Sequence, residues 1–181
     1  MYCLPQHSRD LWRRARLVRA IFMDVDGVLT AGEIAYDTRQ QELKIFNALD
    51  GQGIKLARMA GLALGLISAR ESEAIRYRAG ELGIPHLYLG VKDKLAAFQQ
   101  ASKALQLPGE AFCFIGDDLP DLPVLNRVGL PVAVANAAWS IQDQVPFRTR
   151  RRGGQGAVRE VIEFVLHAQN RLEAILGQFG A

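Results

Sequence analysis

The chain reads as an α/β protein, a doubly wound parallel sheet with helices on both faces and a small inserted β-hairpin. Three observations predict this. Short apolar runs of strand length alternate with amphipathic stretches of helix length, the rhythm of successive β–α–β units. The 181 residues suffice for one sizeable core, so 1–181 is read as a single domain. Four polar clusters each follow an apolar run, and ligands of open parallel sheets gather outside the carboxyl ends of the strands.

The elements follow in order. Ser8 to Val18 predicts a short basic helix with Ser8 as N-cap. Ala20 to Val25 is an apolar run ending in acids and Gly27, the profile of a buried parallel strand. Glu33 to Tyr36 and Glu42 to Phe46 alternate around a polar stretch, which predicts the inserted hairpin. A helix over Gly51 to Ala60 follows, with Asp50 as N-cap and Gly61 as its stop. Then come strand Leu62 to Ser68, helix Ser72 to Leu82, strand His86 to Leu89 and helix Lys92 to Leu105. Strand Ala111 to Ile115, helix Leu119 to Val128 and strand Val132 to Val134 continue the alternation. A long helix from Ala157 to Leu176 closes the chain, with Val158, Val161, Ile162, Val165 and Leu166 at helical spacing. Residues 146–156, basic and glycine-rich, are expected to form a mobile tail segment before it.

Composition excludes several classes. Apolar residues make up 49% and charged residues 23%, ordinary for a globular protein, and no apolar run approaches the ~20 residues of a membrane span. Arg and Asp stand near the N-terminus where a signal peptide needs an unbroken apolar stretch. Cys3 and Cys113 are too few for a disulfide framework, so a cytoplasmic setting is expected. The net charge of +3 is local, since without Arg148, Arg150, Arg151 and Arg152 the balance turns slightly negative. That pattern fits one bound anion better than a nucleic-acid surface. His7, His86 and His167 lack metal-ligand spacing and are read as structural or surface residues, and Cys113 as a buried small hydrophobe.

The chemistry lies in the four clusters: Asp24-Val-Asp26-Gly27, Ser68-Ala-Arg70, Gly90 with Lys94 just after it, and Gly116-Asp117-Asp118. Two buried strands that each end in paired carboxylates bring like charges together, which needs a compensating cation or shared proton. Oxygen ligands alone suit a hard divalent ion, magnesium best, and such an ion commonly shares a substrate phosphate. Lys94, Arg70, the Ser68 hydroxyl and the backbone N–H groups near Gly27 can meet the phosphate oxygens. One aspartate can then attack phosphorus while its neighbour exchanges protons. Bland readings stand beside these: Ser68 as a helix N-cap, Lys94 as a solvated helix lysine, Asp121 as a loop cap, and the arginine cluster as a solvated loop.

The segments Asp24-Val-Asp-Gly-Val-Leu-Thr30 and Gly116-Asp-Asp-Leu-Pro-Asp121 resemble the haloacid dehalogenase superfamily of phosphotransferases. Phe46-Asn-Ala-Leu-Asp-Gly-Gln-Gly-Ile-Lys55 and Gly153-Gly-Gln-Gly-Ala-Val-Arg-Glu160 narrow the resemblance to its capless 3-deoxy-D-manno-octulosonate 8-phosphate phosphatases, over about Ile21 to Leu166. The resemblance implies a Rossmann-like fold without a cap domain and a Mg2+-dependent phosphatase of lipopolysaccharide synthesis. It makes Asp24 the nucleophile, forming an aspartyl-phosphate, and Asp26 the acid/base. Asp24, Asp117 and the Asp26 backbone carbonyl become the metal ligands, and Ser68 and Lys94 serve the phosphate. Asn47, Ala48, Leu49, Asp50, Gly51, Lys55, Arg70 and Arg78 fall where the family contacts substrate, with Asp118 and Asp121 in support. It further implies a homotetramer in which hairpins pack together and a tail reaches a neighbour's active site, giving the basic cluster the role of a lid on an anionic sugar acid. No nucleic acid or membrane partner is expected. Departures are Ala31 in place of an acid, Ser68-Ala69-Arg70 for Thr-Gly-Arg, and Gln155 for Arg. They touch substrate choice more than reaction type, so a nonulosonate 9-phosphatase is a rival reading. A non-catalytic binding subunit of the same fold is another.

Overall fold

The computed structural model describes residues 8–180, so Cys3 and His7 lie outside the described residues. Ser8 accepts a hydrogen bond from the Leu11 N–H and opens helix α1 (Arg9–Leu17), whose Leu11 and Ala15 face the core. Strand β1 (Ala20–Met23) is buried throughout. The hairpin is shorter than its sequence pattern, β2 (Ala35–Tyr36) against β3 (Glu42–Leu43), with Ala35 opposite Leu43. There follow α2 (Ala48–Met59), β4 (Ala63–Ser68), α3 (Glu73–Leu82), β5 (His86–Leu89) and α4 (Lys94–Leu105). The chain continues through β6 (Phe112–Gly116), α5 (Leu122–Leu125), β7 (Leu130–Ala133), α6 (Trp139–Gln142), β8 (Phe147–Arg148), α7 (Ala157–Ala168) and α8 (Leu172–Leu176).

Six strands form one parallel sheet in the order β5-β4-β1-β6-β7-β8. The order reverses between β1 and β6, because successive units leave β1 first toward β4 and β5 and later toward β7 and β8. A crevice opens where neighbouring connections leave in opposite directions, so the polar ends of β1 and β6 share it. α2 packs on α7 and α3, α1 packs on α7, and α4 packs on α5, which gives a helical layer on each face. Phe22, Phe98 and Phe112 meet edge to face in the core. Opposite Phe22 in the sheet stands Gly65, where a Cβ would lie 2.2 Å from the Phe22 ring, so only glycine admits that ring. Cys113 is fully buried in β6, and burial drives its thiol pKa upward, consistent with a small core hydrophobe.

Three expectations need correction. Asn47, not Asp50, caps α2, and its side chain accepts from the Leu49 N–H. The expected helix over Leu119–Val128 is a 3-10 turn (Leu119–Asp121) running into the short α5, because Pro120 and Pro123 lack the N–H groups a longer helix needs. The closing helix breaks between α7 and α8 at Asn170, whose φ of 55° is left-handed. Beyond these, residues 146–156 contain a sheet strand, β8, that the sequence pattern did not announce, followed by several backbone hydrogen bonds. The Glu160 carboxylate accepts the Arg150 and Arg151 N–H groups at 3.0 Å, and Gly154 donates its N–H to the Val28 carbonyl at 2.8 Å.

Candidate active site

The ends of β1, β4 and β6, with the start of α4, enclose a cavity of about 260 Å³ lined by Asp24, Asp26, Ser68, Arg70, Lys94, Asp117, Asp118 and Asp121. Eight of the residues singled out from sequence thus meet at one place. Lys94 is the centre of the arrangement. Its Nζ lies 2.6 Å from Asp24 Oδ2 and 2.7 Å from Asp121 Oδ1, and all three side chains are buried. This excludes the solvated reading of Lys94. Ser68 is 1% exposed and lines the cavity, while Ser72 caps α3, so Ser68 is not the cap.

Carboxylate oxygens of Asp24, Asp117 and Asp121 lie within 4.8 Å of one another, close enough to hold one metal ion. Their charges repel. Burial foremost, then repulsion from Asp121, pushes the Asp24 pKa up to about 6 despite the pull of Lys94. Burial, then Asp24 and Asp121, pushes Asp117 up to about 8. Burial also works against the Lys94 ammonium, but the two carboxylates outweigh it and hold its pKa above the ordinary value. One lysine therefore leaves the cluster short of positive charge, and a divalent cation fits that deficit. Asp121 has the least to offer such an ion. One oxygen accepts Lys94, and the other accepts the Asp117 N–H at 2.9 Å and the Asp118 N–H at 3.4 Å. It sets the loop, while the exposed Asp118 caps the 3-10 turn through the Leu119 N–H. Asp117 and Asp24, with fewer such contacts, are the carboxylates better placed to hold an ion through their side chains.

Gly27 carries this geometry in its backbone. Its φ is 81°, and a Cβ there would lie 2.0 Å from Asp117 Oδ2, so the loop after β1 and the carboxylate after β6 exclude any side chain between them. The glycine-rich tail seats on the same loop. Asn136 donates to the Gly27 carbonyl at 3.2 Å and accepts the Gly153 N–H at 2.6 Å. A Cβ on Gly153 would lie 1.7 Å from the Gly27 carbonyl oxygen.

Asp26 has a partner that the sequence reading missed. Lys44, on the residue after β3 and with a side chain 2% exposed, places Nζ 2.5 Å from Asp26 Oδ1 and 3.2 Å from Glu42 Oε1. Arg70 lies 3.3 Å from the same Glu42 and 4.0 Å from Asp26. Glu42 and Lys44 alternate with exposed Leu43 and Ile45, a period-two signal that a strand face pointing at the nucleophile loop would leave.

The remaining candidates stand apart from the cavity. Asn47 donates to the Gly154 carbonyl at 3.0 Å, Ala48 and Leu49 are exposed at the start of α2, and Gly51 is buried against Arg78. Asp50 is buried and accepts the Gly156 and Arg159 N–H groups at 3.0 and 3.1 Å, tying α2 to the tail; burial raises its pKa. Lys55 is exposed on α2, and Arg78 lies 6.0 Å from the Phe46 ring centroid and pairs with Glu81. Arg148 pairs with Asp143 at 3.6 Å, and Arg150, Arg151, Arg152 and Gln155 are exposed.

A family model of haloacid dehalogenase-like hydrolases matches residues 70–162, just over half of the chain. The chain is 41% identical, over 97% of its length and 94% of the relative's, to 3-deoxy-D-manno-octulosonate 8-phosphate phosphatase KdsC of Yersinia pestis. The crystal structure of that phosphatase from Yersinia pestis superposes with a TM-score of 0.93, covering 94% of this chain and 92% of that one. A Moraxella catarrhalis phosphatase of the same name, in complex with a magnesium ion, a phosphate ion and a KDO molecule, has a TM-score of 0.93 at 36% identity, covering 96% and 99%. The chain therefore belongs to the haloacid dehalogenase-like hydrolases and, within them, to the family of 3-deoxy-D-manno-octulosonate 8-phosphate phosphatases.

Proposed function

We infer that the protein is a magnesium-dependent phosphatase that releases phosphate from 3-deoxy-D-manno-octulosonate 8-phosphate, serving lipopolysaccharide synthesis in the cytoplasm. The observation that carries this reading is Lys94 buried between Asp24 and Asp121, with Asp117 completing an acidic cluster beside Asp26. Magnesium, held by Asp24, Asp117 and the Asp26 backbone carbonyl, would supply charge neutralisation for the phosphate and its attacker. The chain's own residues divide the rest. A carboxylate oxygen of Asp24 attacks phosphorus and forms an acyl phosphate as the bond to the sugar oxygen breaks. Asp26 gives that oxygen its proton, then takes one from the water that attacks phosphorus and frees Asp24. Lys94, the Ser68 hydroxyl and backbone N–H groups meet the phosphoryl oxygens. Arg70, at the rim beside Asp26, faces the sugar acid.

The same reading makes the protein a homotetramer. Ile34, Tyr36, Leu43 and Ile45 of the hairpin region are all more than half exposed, Ile45 at 88%, an apolar face that hairpin packing between copies would cover. Arg150, Arg151 and Arg152 act on the anionic substrate across that assembly. Replacing all three with Ala is expected to lower kcat/KM at least about tenfold, as loss of a charge-assisted contact does; an unchanged value would refute the lid role.

The decisive assay is phosphate release from a panel of sugar phosphates, including a nonulosonate 9-phosphate, with magnesium and with EDTA. Rapid magnesium-dependent turnover of the octulosonate ester is the expected result. Preference for the nonulosonate ester would overturn the substrate assignment, and no release from any member would overturn the reaction.

A further inference from the structure

The opposite edge of the sheet carries a second cleft that this chemistry does not use. It opens at the N-terminal ends of β1 and β4, between the end of α1, the α2–β4 turn and the α7–α8 turn, with a volume of about 860 Å³. Its charge is one-sided. Arg16, Arg19 and Arg171 line it, and among the described residues no aspartate or glutamate does. Arg16 donates to the Ala168 carbonyl at 3.2 Å, and Arg171 donates to the Ala60 carbonyl and to Gln169 Oε1. These acceptors are neutral, so neither positive charge is compensated there. Among the described residues the Arg19 guanidinium has no hydrogen-bond or ion-pair partner. Several arginines elsewhere pair with acids, as in Arg14 with Asp10, Arg76 with Glu71 and Arg159 with Glu163.

The floor differs in kind from the walls. Val18, Ala60, Leu62 and Leu107 are buried apolar residues that reach the cleft. A small inorganic anion would leave that floor wet. An anion with a planar or apolar body would cover it while its phosphates met the guanidinium forks, which bind phosphate bidentately and stack on planar rings. The volume lies within the ~300–1,000 Å³ of small-molecule sites. We propose that this cleft binds a phosphorylated, nucleotide-sized anion, of which a nucleoside diphosphate is the simplest representative. Four strand residues at ~3.3 Å each separate Arg19 from Asp24, so the two sites sit on opposite edges of the sheet and do not compete.

The test is calorimetric titration of ADP into the full-length protein in EDTA and low salt, with pyrophosphate as the comparison ligand. ADP is expected to bind with a submillimolar Kd, more tightly than pyrophosphate. Arg19→Glu should weaken ADP binding at least tenfold while leaving phosphate release and the melting temperature unchanged, because the side chain touches neither the acidic cavity nor a described partner. Arg19→Gln, with no charge reversal, serves as the milder variant and should weaken binding by a smaller factor. Absence of ADP binding, pyrophosphate binding as tightly as ADP, or wild-type affinity in both variants would overturn the proposal.

Discussion

Replacing Lys94 with Met tests the charge arithmetic of the active site directly. Methionine keeps an unbranched apolar stem of similar shape and removes the ammonium. In the folded protein that ammonium touches Asp24 and Asp121, whose side chains are 11% and 1% exposed, with Asp117 close by. Removing one member of a buried ion pair costs about 3–5 kcal/mol, because the surviving charge is neither solvated nor paired. With a urea m-value of about 2 kcal/mol/M, the unfolding midpoint in EDTA at neutral pH should fall by roughly 2 M. The loss should shrink at pH 5, where protons relieve the carboxylates, and saturating magnesium should recover part of it. Turnover should drop by about 10²–10³, the usual effect of deleting a group that neutralises developing charge. A Lys94→Met protein whose EDTA midpoint matches the wild type at neutral pH would refute the view that Lys94 holds the acidic cluster together.

Three further predictions rest on the same geometry. In metal-free wild-type protein, Asp24 and Asp117 titrate near 6 and 8 in the fold against 3.8 for an ordinary aspartate, so the folded state holds protons that the unfolded chain has released. Stability should therefore fall as pH rises from about 4 to about 8, and magnesium should add more stability at pH 8 than at pH 5; equal gains in urea melts at both values would contradict this. Asp24→Asn should abolish phosphate release yet raise the EDTA midpoint, since a repelling charge is gone; full activity in that variant would remove Asp24 from the nucleophile role. Gly153→Ala should cut kcat at least about tenfold, because the new Cβ would displace the Gly27 backbone by more than the small shifts active sites tolerate. Gly80→Ala, with open space around its Cβ in α3, is the control and should leave kcat unchanged.

The sequence determined on its own what depends on local pattern. The alternation of apolar runs and helical periods specified the parallel sheet, Ser8 announced the α1 cap, and Asp24, Asp26, Ser68, Lys94 and Asp117 were legible because strand ends in such sheets share a rim. Helix limits near Pro120, Pro123 and Asn170 were less legible, since each depends on a backbone angle or a missing N–H rather than on hydrophobic period. Only the tertiary structure decided the long-range partnerships. Lys44 reaches Asp26 across eighteen residues, Lys94 reaches Asp121 across twenty-seven, and Asp50 ties the α2 start to Gly156 across one hundred and six. The physical reason is common to all three: a buried charge or a glycine-only contact is settled by whatever the fold places within about 3 Å of it, and periodicity carries no information about that neighbour.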